Sequence, residues 1–552
     1  MKIKDIQLLL LLLPLWLAPA TMAGGQENKQ ALHPAIPPQA PENPQPAYPD
    51  IATRVQYNAW GQSPNPAGIR LTKTDSLLEV AIGYDRLRPA LAATDQPGKA
   101  TGYGGTADGY KRLGNLCLSG GMGWRQDRLK GRQWDLTLQP RYLVTAGDSL
   151  SNPLRAEQYS LYGKAAYAFS PRLAAGLSGA YTATDNRDSS PEKHYSSRAN
   201  TVTLSAGLIR SGKHGRIGLS AVYTHRSEQL GYPTNDKERL YTFPLGYFIP
   251  MSELNHDGGG ILRSTPGNSS VFRSTGNGWQ AALQGEYRLP GVSWFNELMA
   301  GLERRGISPD DSENMHGWEE KYLTLGYRSR LDIRHGRWTH LFSPAVLLHR
   351  DISDRILQSP DPDNLDATWN RFGQIRFASR HTADISAGYE LARDHTPDGA
   401  TLAWQLAAGW AGRRDELYSY PYTIAQLTGT FHAEAAFLRR FALPHKSRLT
   451  FRPSVTLLTG GGTEERLTRK ENDAEVEMNS YRNYERVSST FAALTATRLR
   501  AALQAEYRRP LTYRADGGLR LRAEVERIIR NKSDYQMDKT GGGITFAFVV
   551  WL

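Results

Sequence analysis

At 552 residues, 39% hydrophobic and with a mean hydropathy of −0.52, the chain has no apolar run after its first 25 residues long enough for a spanning helix, which excludes a helical membrane protein. The 52 Gly, 27 Tyr and 12 Trp suit β-strands, tight turns and aromatic belts, and the single Cys, Cys117, forbids an internal disulfide and reads as structural. The net charge of +12 is spread singly along the chain with no basic block, which argues against nucleic acid as a partner and leaves anionic lipid headgroups.

The chain opens with Lys2 and Lys4, a Leu-dominated run from Ile6 to Ala18 and the small-residue exit Thr21-Met22-Ala23, the pattern of an export signal over 1–23. No Cys follows the exit, so no lipoprotein anchor is expected. Residues 24–50 carry Pro34, Pro37, Pro38, Pro41, Pro44, Pro46 and Pro49, a spacing that holds neither helix nor sheet. They predict an extended periplasmic segment, either a plain tether or a docking peptide for a periplasmic partner. Residues 51–76 read as a lead-in, and 77–552 as the structured body.

From residue 77 the apolar residues recur every second position, the period of a strand with one apolar face. Leu78, Val80, Ile82 and Tyr84 mark the first strand, Leu116 to Trp124 the second, and Trp134, Leu136, Leu138, Tyr142 and Val144 the third. Further strands are expected over 159–169, 173–181, 202–208, 217–223, 279–289, 292–302, 323–333 and 338–348. Arg380-His381-Thr382 looks like a turn, yet Ile375, Phe377, Ala383, Ile385 and Tyr389 share one parity, so 375–391 reads as one long strand. Strands over 402–410, 427–437, 449–457, 499–507 and 519–525 precede a last one in which Ile544, Phe546, Phe548, Val550 and Leu552 share a face. The count is 18, with 16 as the alternative.

An uncapped, apolar, β-prone end invites edge pairing unless it closes on the first strand. In a transmembrane antiparallel β-barrel that edge disappears and the apolar face meets lipid. The connections agree with such a barrel, with short periplasmic turns (170–172, 211–215, 290–291, 335–337, 443–446) between long extracellular loops (86–109, 185–198, 228–276, 304–319, 351–370, 459–485). Trp124, Trp134, Phe169, Trp294, Trp338 and Trp551 fall next to short turns or the terminus, and Tyr84, Tyr181, Tyr223 and Trp410 next to long loops, as two interfacial girdles require. The outer-membrane lipid is thus an expected partner and the outer membrane the expected location.

The alternate positions then face the lumen. They include Arg141, Arg288, Arg328, Arg330, Arg376, Arg380, Arg448, Arg452, Arg498, Arg500, Arg520 and Arg522, with Glu286, Glu390, Glu506, Glu524 and Glu526. One reading is Arg–Glu ladders that hold the wall. The other is an anion-favouring constriction, for which Arg448, Arg452, Arg498 and Arg500, with Glu506 as the nearby acid, are the first candidates and Arg376 and Arg380 the next. Sixteen to eighteen strands leave an aqueous channel unless a loop fills it. The 228–276 segment, with Tyr241, Phe243, Tyr247, Phe248 and a Gly258-Gly259-Gly260 hinge, either folds inward as a constriction or stands out as a docking surface.

Chemistry is not evident. The 13 His show neither His-Glu-x-x-His nor zinc spacing, so neither metal nor cofactor is expected. Gly176-Leu177-Ser178-Gly179 misses a nucleophile elbow by one residue. His225 near a strand top is the one hint of an outer-membrane hydrolase, the alternative to the expected non-enzymatic reading. Only the Pro-rich stretch precedes the strands, so a globular plug is not expected either.

Asn58-Ala59-Trp60-Gly61, Asn65-Pro66-Ala67-Gly68, the Gly-rich first hairpin and the final strand resemble an uncharacterised family of large Gram-negative outer-membrane β-barrels. That resemblance implies insertion by the barrel-assembly machinery, which recognises such last strands, and work beside a TonB-dependent receptor or a surface lipoprotein. The functional expectation is a pore or transport component with a basic lumen. The alternative is an accessory or structural barrel whose loops dock a surface partner.

Overall fold

The computed structural model describes residues 59–551 apart from 73–74, 94–95, 133–134, 140, 148–152, 189–195, 233–240, 245–269, 309–316, 361–368, 395–399, 420–421, 465–467, 472–473, 478–489, 513–514 and 531–539. The expected export signal, the Pro-rich segment, Trp134, Tyr247, Phe248 and Gly258 to Gly260 therefore lie outside the described residues.

Eighteen strands, each antiparallel to the next, close into a barrel. They are β1 (Ser76–Arg88), β2 (Lys99–Leu113), β3 (Leu116–Lys130), β4 (Leu154–Ser170), β5 (Leu173–Asp188) and β6 (Ser196–Ser211). Then come β7 (Gly215–Tyr232), β8 (Ser270–Leu289), β9 (Val292–Ser308), β10 (Trp318–His335), β11 (Trp338–Pro360) and β12 (Trp369–Arg393). Last are β13 (Leu402–Ser419), β14 (Tyr422–Ala442), β15 (Arg448–Glu464), β16 (Thr497–Pro510), β17 (Asp516–Arg530) and β18 (Thr540–Trp551). The closing seam pairs β18 with β1, with Val550 opposite Val80, Phe548 opposite Ile82 and Phe546 opposite Tyr84. This removes the apolar edge, and these residues form part of an outer face of exposed Leu, Ile, Phe and Tyr that suits lipid.

Two errors cancel in the expected strand count. β2 was hidden in a stretch read as a long loop, because its outer face carries Tyr103, Gly105, Ala107 and Gly109 rather than an apolar row. Those small residues pair with Ile82, Val80 and Leu78 of β1, whose larger side chains cover them. Conversely, the third strand expected over Trp134 to Val144 does not form: its described residues, 135–139 and 141–144, are not part of the barrel wall. They belong to the loop between β3 and β4, which folds into the barrel mouth.

Parity differs at two further places. In β12 a bulge opposite Ser353 and Asp354 makes Phe377 the extra residue and turns it inward, where it is 2% exposed and packs on Trp318. Trp551 has the opposite parity from Phe548 and Val550 and faces inward. It therefore does not belong to a lipid girdle: it is buried, donates Nε1 to Glu79 at 2.8 Å, and lies under the guanidinium groups of Arg508 and Arg520.

Trp124 does lie on the outer face, edge-on to Tyr103 and paired with Tyr159. With β2 in place it sits on the long-loop half of its strand, not beside a short turn. Trp294 and Trp338 are on the outer face near the turns 290–291 and 336–337, and Trp294 donates to Ser329.

Candidate functional site

The lumen is the site, and two stretches of the chain occupy it. At the short-turn end residues 59–72 lie inside the wall. Asn65 caps a short 3-10 helix (Pro66–Leu71) by accepting from the Ala67 amide, with Pro66 at the first helical position, where its missing N–H costs nothing. The wall receives this segment on three inward-facing glycines of neighbouring strands. A Cβ on Gly176 would fall 2.4 Å from the Ala67 nitrogen, on Gly207 2.1 Å from Asn65 Oδ1, and on Gly218 2.6 Å from the Trp60 ring. Glycine is needed at these points for close approach, not for an unusual dihedral.

Polar contacts then fix the segment. Trp60 Nε1 donates to Glu286 Oε2 at 2.8 Å while its ring meets Phe295 edge-on at 5.2 Å. Ser63 donates to Glu297 at 2.5 Å. Asn65 Nδ2 reaches the carbonyls of Leu208 and Leu219 and Gln284 Oε1, and Arg328 donates to the Gln62 carbonyl at 2.7 Å. Ile69 completes an apolar cluster with Leu77, Tyr110, Cys117 and Ala166. Trp60 and Cys117 are 1% and 0% exposed, so the segment seals this corner from water.

At the other end the loop after β3 enters the mouth. Leu136, Leu143 and Val144 are buried against Leu230, Phe272, Ile307, Trp318, Phe377 and Leu417, which come from β7, β8, β9, β10, β12 and β13. An isolated loop buried in this way needs partners for its amides. Two wall carboxylates supply them. Glu228 accepts from the Leu138 and Gln139 amides at 2.6 and 2.9 Å, from Tyr142 Oη at 2.9 Å and from Ser197 Oγ at 3.1 Å.

Glu320 accepts from the Leu143 and Val144 amides at 3.1 and 2.9 Å and from the Tyr322 hydroxyl. Burial pushes the Tyr142 hydroxyl well above its usual value, with the Glu228 charge adding to the effect, so it stays a donor. Arg305 lies over the rings of both Tyr142 and Tyr322, and Arg141, held at φ 69°, pairs with Asp351. Val144–Gly147 also pairs with Tyr241–Pro244. The backbone of the 228–276 segment thus reaches this loop.

The arginines singled out from the sequence do not converge. Arg448 is exposed near the short-turn end of β15, whereas Arg498 pairs across to Leu458, ten residues and about 33 Å farther along the strand. Arg452 pairs with Glu434 at 3.0 Å and donates to Gln405. Arg498 and Arg500 share Glu526 at 3.5 and 3.2 Å, and Glu506, the acid expected beside them, pairs instead with Arg520 at 2.7 Å.

Arg380 faces inward and is matched by Asp415, which also takes Arg413. Arg376 does not reach the lumen. The bulge at Phe377 places it on the outer face, with Asp354 at 2.7 Å and Lys321 on the same carboxylate. His225 is likewise on the outer face, bonded to Asn277. These contacts are those of ladders along the wall.

Residues 66–548 match the model of a family of unknown function, DUF6850. The chain belongs to that family. In this DUF6850 member the match begins inside the lumenal segment, at Pro66, and runs to the closing strand. No curated protein matches the sequence.

Among solved structures, the ferric preacinetobactin receptor BauA from Acinetobacter baumannii aligns at 9% identity and a TM-score of 0.37, covering 86% of this chain and 80% of that one. The outer membrane transporter YddB from Escherichia coli aligns at 9% and 0.35, covering 87% and 81%. The RagAB peptide importer in its closed-closed state aligns at 6% and 0.38, covering 87% of each. Identities and scores this low speak to no shared cargo.

The sequence alone marks neither lumenal stretch as such. Trp60 and Asn65 fall in its lead-in, and neither Glu228 nor Glu320 is singled out. The usable signal was Gly176, Gly207 and Gly218, inward positions of successive strands where a wall filled only by water has no need of glycine.

Proposed function

We propose that this DUF6850 member is a transport component of the outer membrane, a barrel held shut by two stretches of its own chain. The observation that carries this reading is the way residues 59–72 are held. Among the described residues the segment joins the wall covalently through its C-terminal end, and its anchors to Glu286, Glu297, Gln284 and Arg328 are hydrogen bonds that water replaces on release. Such contacts favour a seal that opens, since each net bond is worth only about 1 kcal/mol.

A lining of paired Arg and carboxylate groups is compatible with a hydrated path, and 18 strands enclose room for one once both stretches leave. The exposed apolar outer face and the expected export signal support an outer-membrane location. No reaction is assigned to it. The test is efflux of a small sugar from proteoliposomes. Wild type retains the sugar, and a chain carrying Gly207→Leu with Glu228→Ala, which loosens both stretches, releases it. Retention by the folded double variant overturns the reading.

A further inference from the structure

Beneath the lumenal segment, at the short-turn end, lies a cavity of about 810 Å³. Arg70 lines it from the segment, Arg172 and Lys213 from the turns after β4 and β6, and Arg216 and Arg288 from inward positions of β7 and β8, while Arg210 at its rim shares the outward parity of Leu208. Ala168, Ala174 and Ile209 on the inward faces of β4, β5 and β6 place the cavity within the lumen. Among the described residues one carboxylate stands among these five cations. Glu286 takes Arg216 Nη1 at 2.9 Å, lies 3.9 Å from Arg288 Nε, and already accepts from Trp60 and Ser293.

Among the described residues no carboxylate pairs with Arg70, Arg172 or Lys213. The Nε atoms of both Arg216 and Arg288 are buried without a hydrogen-bond partner.

Like charges gathered in a concave, partly dry site repel one another unless a counter-anion joins them. Buried guanidinium donors left open are costly for the same reason. The volume falls in the range of small-ligand sites, and planar guanidinium forks fit phosphate oxygens two at a time.

We propose that this cavity binds a small, multiply charged phosphate-bearing anion that ties Arg70 of the segment to Arg216 and Arg288 of the wall. The ligand reinforces the closed state, a consequence that rests on reading residues 59–72 as a removable seal; the binding site itself does not.

The experiment is calorimetric titration of the full chain in non-ionic detergent with inorganic pyrophosphate, alongside the rate at which a maleimide labels Cys117, which lies under Ile69. Saturable binding that weakens with salt, at least tenfold weaker in Arg70→Gln/Lys213→Gln, supports the site. Both side chains lie at the cavity surface, away from the contacts that anchor Trp60 and Asn65. Absence of saturable binding, or equal affinity in the double variant, overturns it.

Pyrophosphate is expected to slow Cys117 labelling at least tenfold. Binding without that slowing overturns the tie between segment and wall, whereas rapid labelling of the ligand-free chain counts instead against the seal. In nanodiscs, competition by phosphatidylglycerol identifies a lipid headgroup as the source of the phosphate, and lack of competition a soluble anion.

Discussion

Replacing Gly207 by Leu displaces the lumenal segment without touching it. A Cβ at this position lies 2.1 Å from Asn65 Oδ1, 2.7 Å from its Cγ and 3.0 Å from Pro66 Cδ, so Asn65 must leave. Its two amide hydrogens, shared among the Leu208 and Leu219 carbonyls and Gln284 Oε1, are worth about 1 kcal/mol each. The closed state is weakened by about 2 kcal/mol, roughly thirtyfold in the closed-to-open ratio.

The strand itself tolerates Leu, because Gly207 has an ordinary extended backbone and Leu side chains are at home in a barrel wall. The reporter is built in: Cys117 is the only thiol of the chain and is fully buried in the cluster capped by Ile69. Maleimide labelling under native conditions is expected to be slow in wild type and about thirtyfold faster in the variant, with the barrel's heat-induced gel shift unchanged. Equal labelling rates in two folded proteins would refute the argument that the glycines exist to seat this segment.

Glu228→Ala removes the acceptor for the Leu138 and Gln139 amides and for Tyr142, about 4 kcal/mol for three bonds to a charged group. Trypsin should then cut at Arg132 or Arg141, sites resistant in wild type. Trp551→Ala empties a buried ring site and removes one of the donors to Glu79, which keeps Arg520, and should cost about 3–5 kcal/mol, read as a lower temperature for the gel shift; a girdle tryptophan would show far less. In an opened barrel Arg380→Gln should alter anion-to-cation permeability, as it leaves the Asp415 pairing unbalanced. Arg376→Gln, on the outer face, should leave that ratio unchanged.

The barrel was legible because its outer face obeys a period of two over most strands, and the last strand states its need for a partner in five alternating apolar residues. The correct count nonetheless rested on β2 being missed and 134–144 being added. Lys99 to Leu113 hides because small residues under the β1 side chains serve lipid as well as large ones do. Leu136, Tyr142 and Val144 mislead because burial among lumenal side chains selects the same apolar residues as lipid does.

The bulge at Phe377 inverts a parity that a regular alternation projects without change, and this moved Arg376 to the wrong face. Trp551 shows the limit of residue-type rules. A terminal Trp is as useful under two arginines inside the wall as at the membrane interface, and only its parity against Phe548 distinguishes them. The carboxylate partners of the lumenal arginines depend on cross-strand register, so Glu434 as the partner of Arg452, and the match of the expected lumenal acid Glu526 to Arg498 and Arg500, follow only from the pairing.

The most direct test of a barrel shut by its own chain is single-channel recording in planar bilayers, comparing wild type, each single release variant, and Gly207→Leu combined with Glu228→Ala. Wild type is expected to be silent, the single variants to flicker, and the combination to conduct steadily. A steady conductance from the wild-type chain, or silence from the folded combination, would contradict the account.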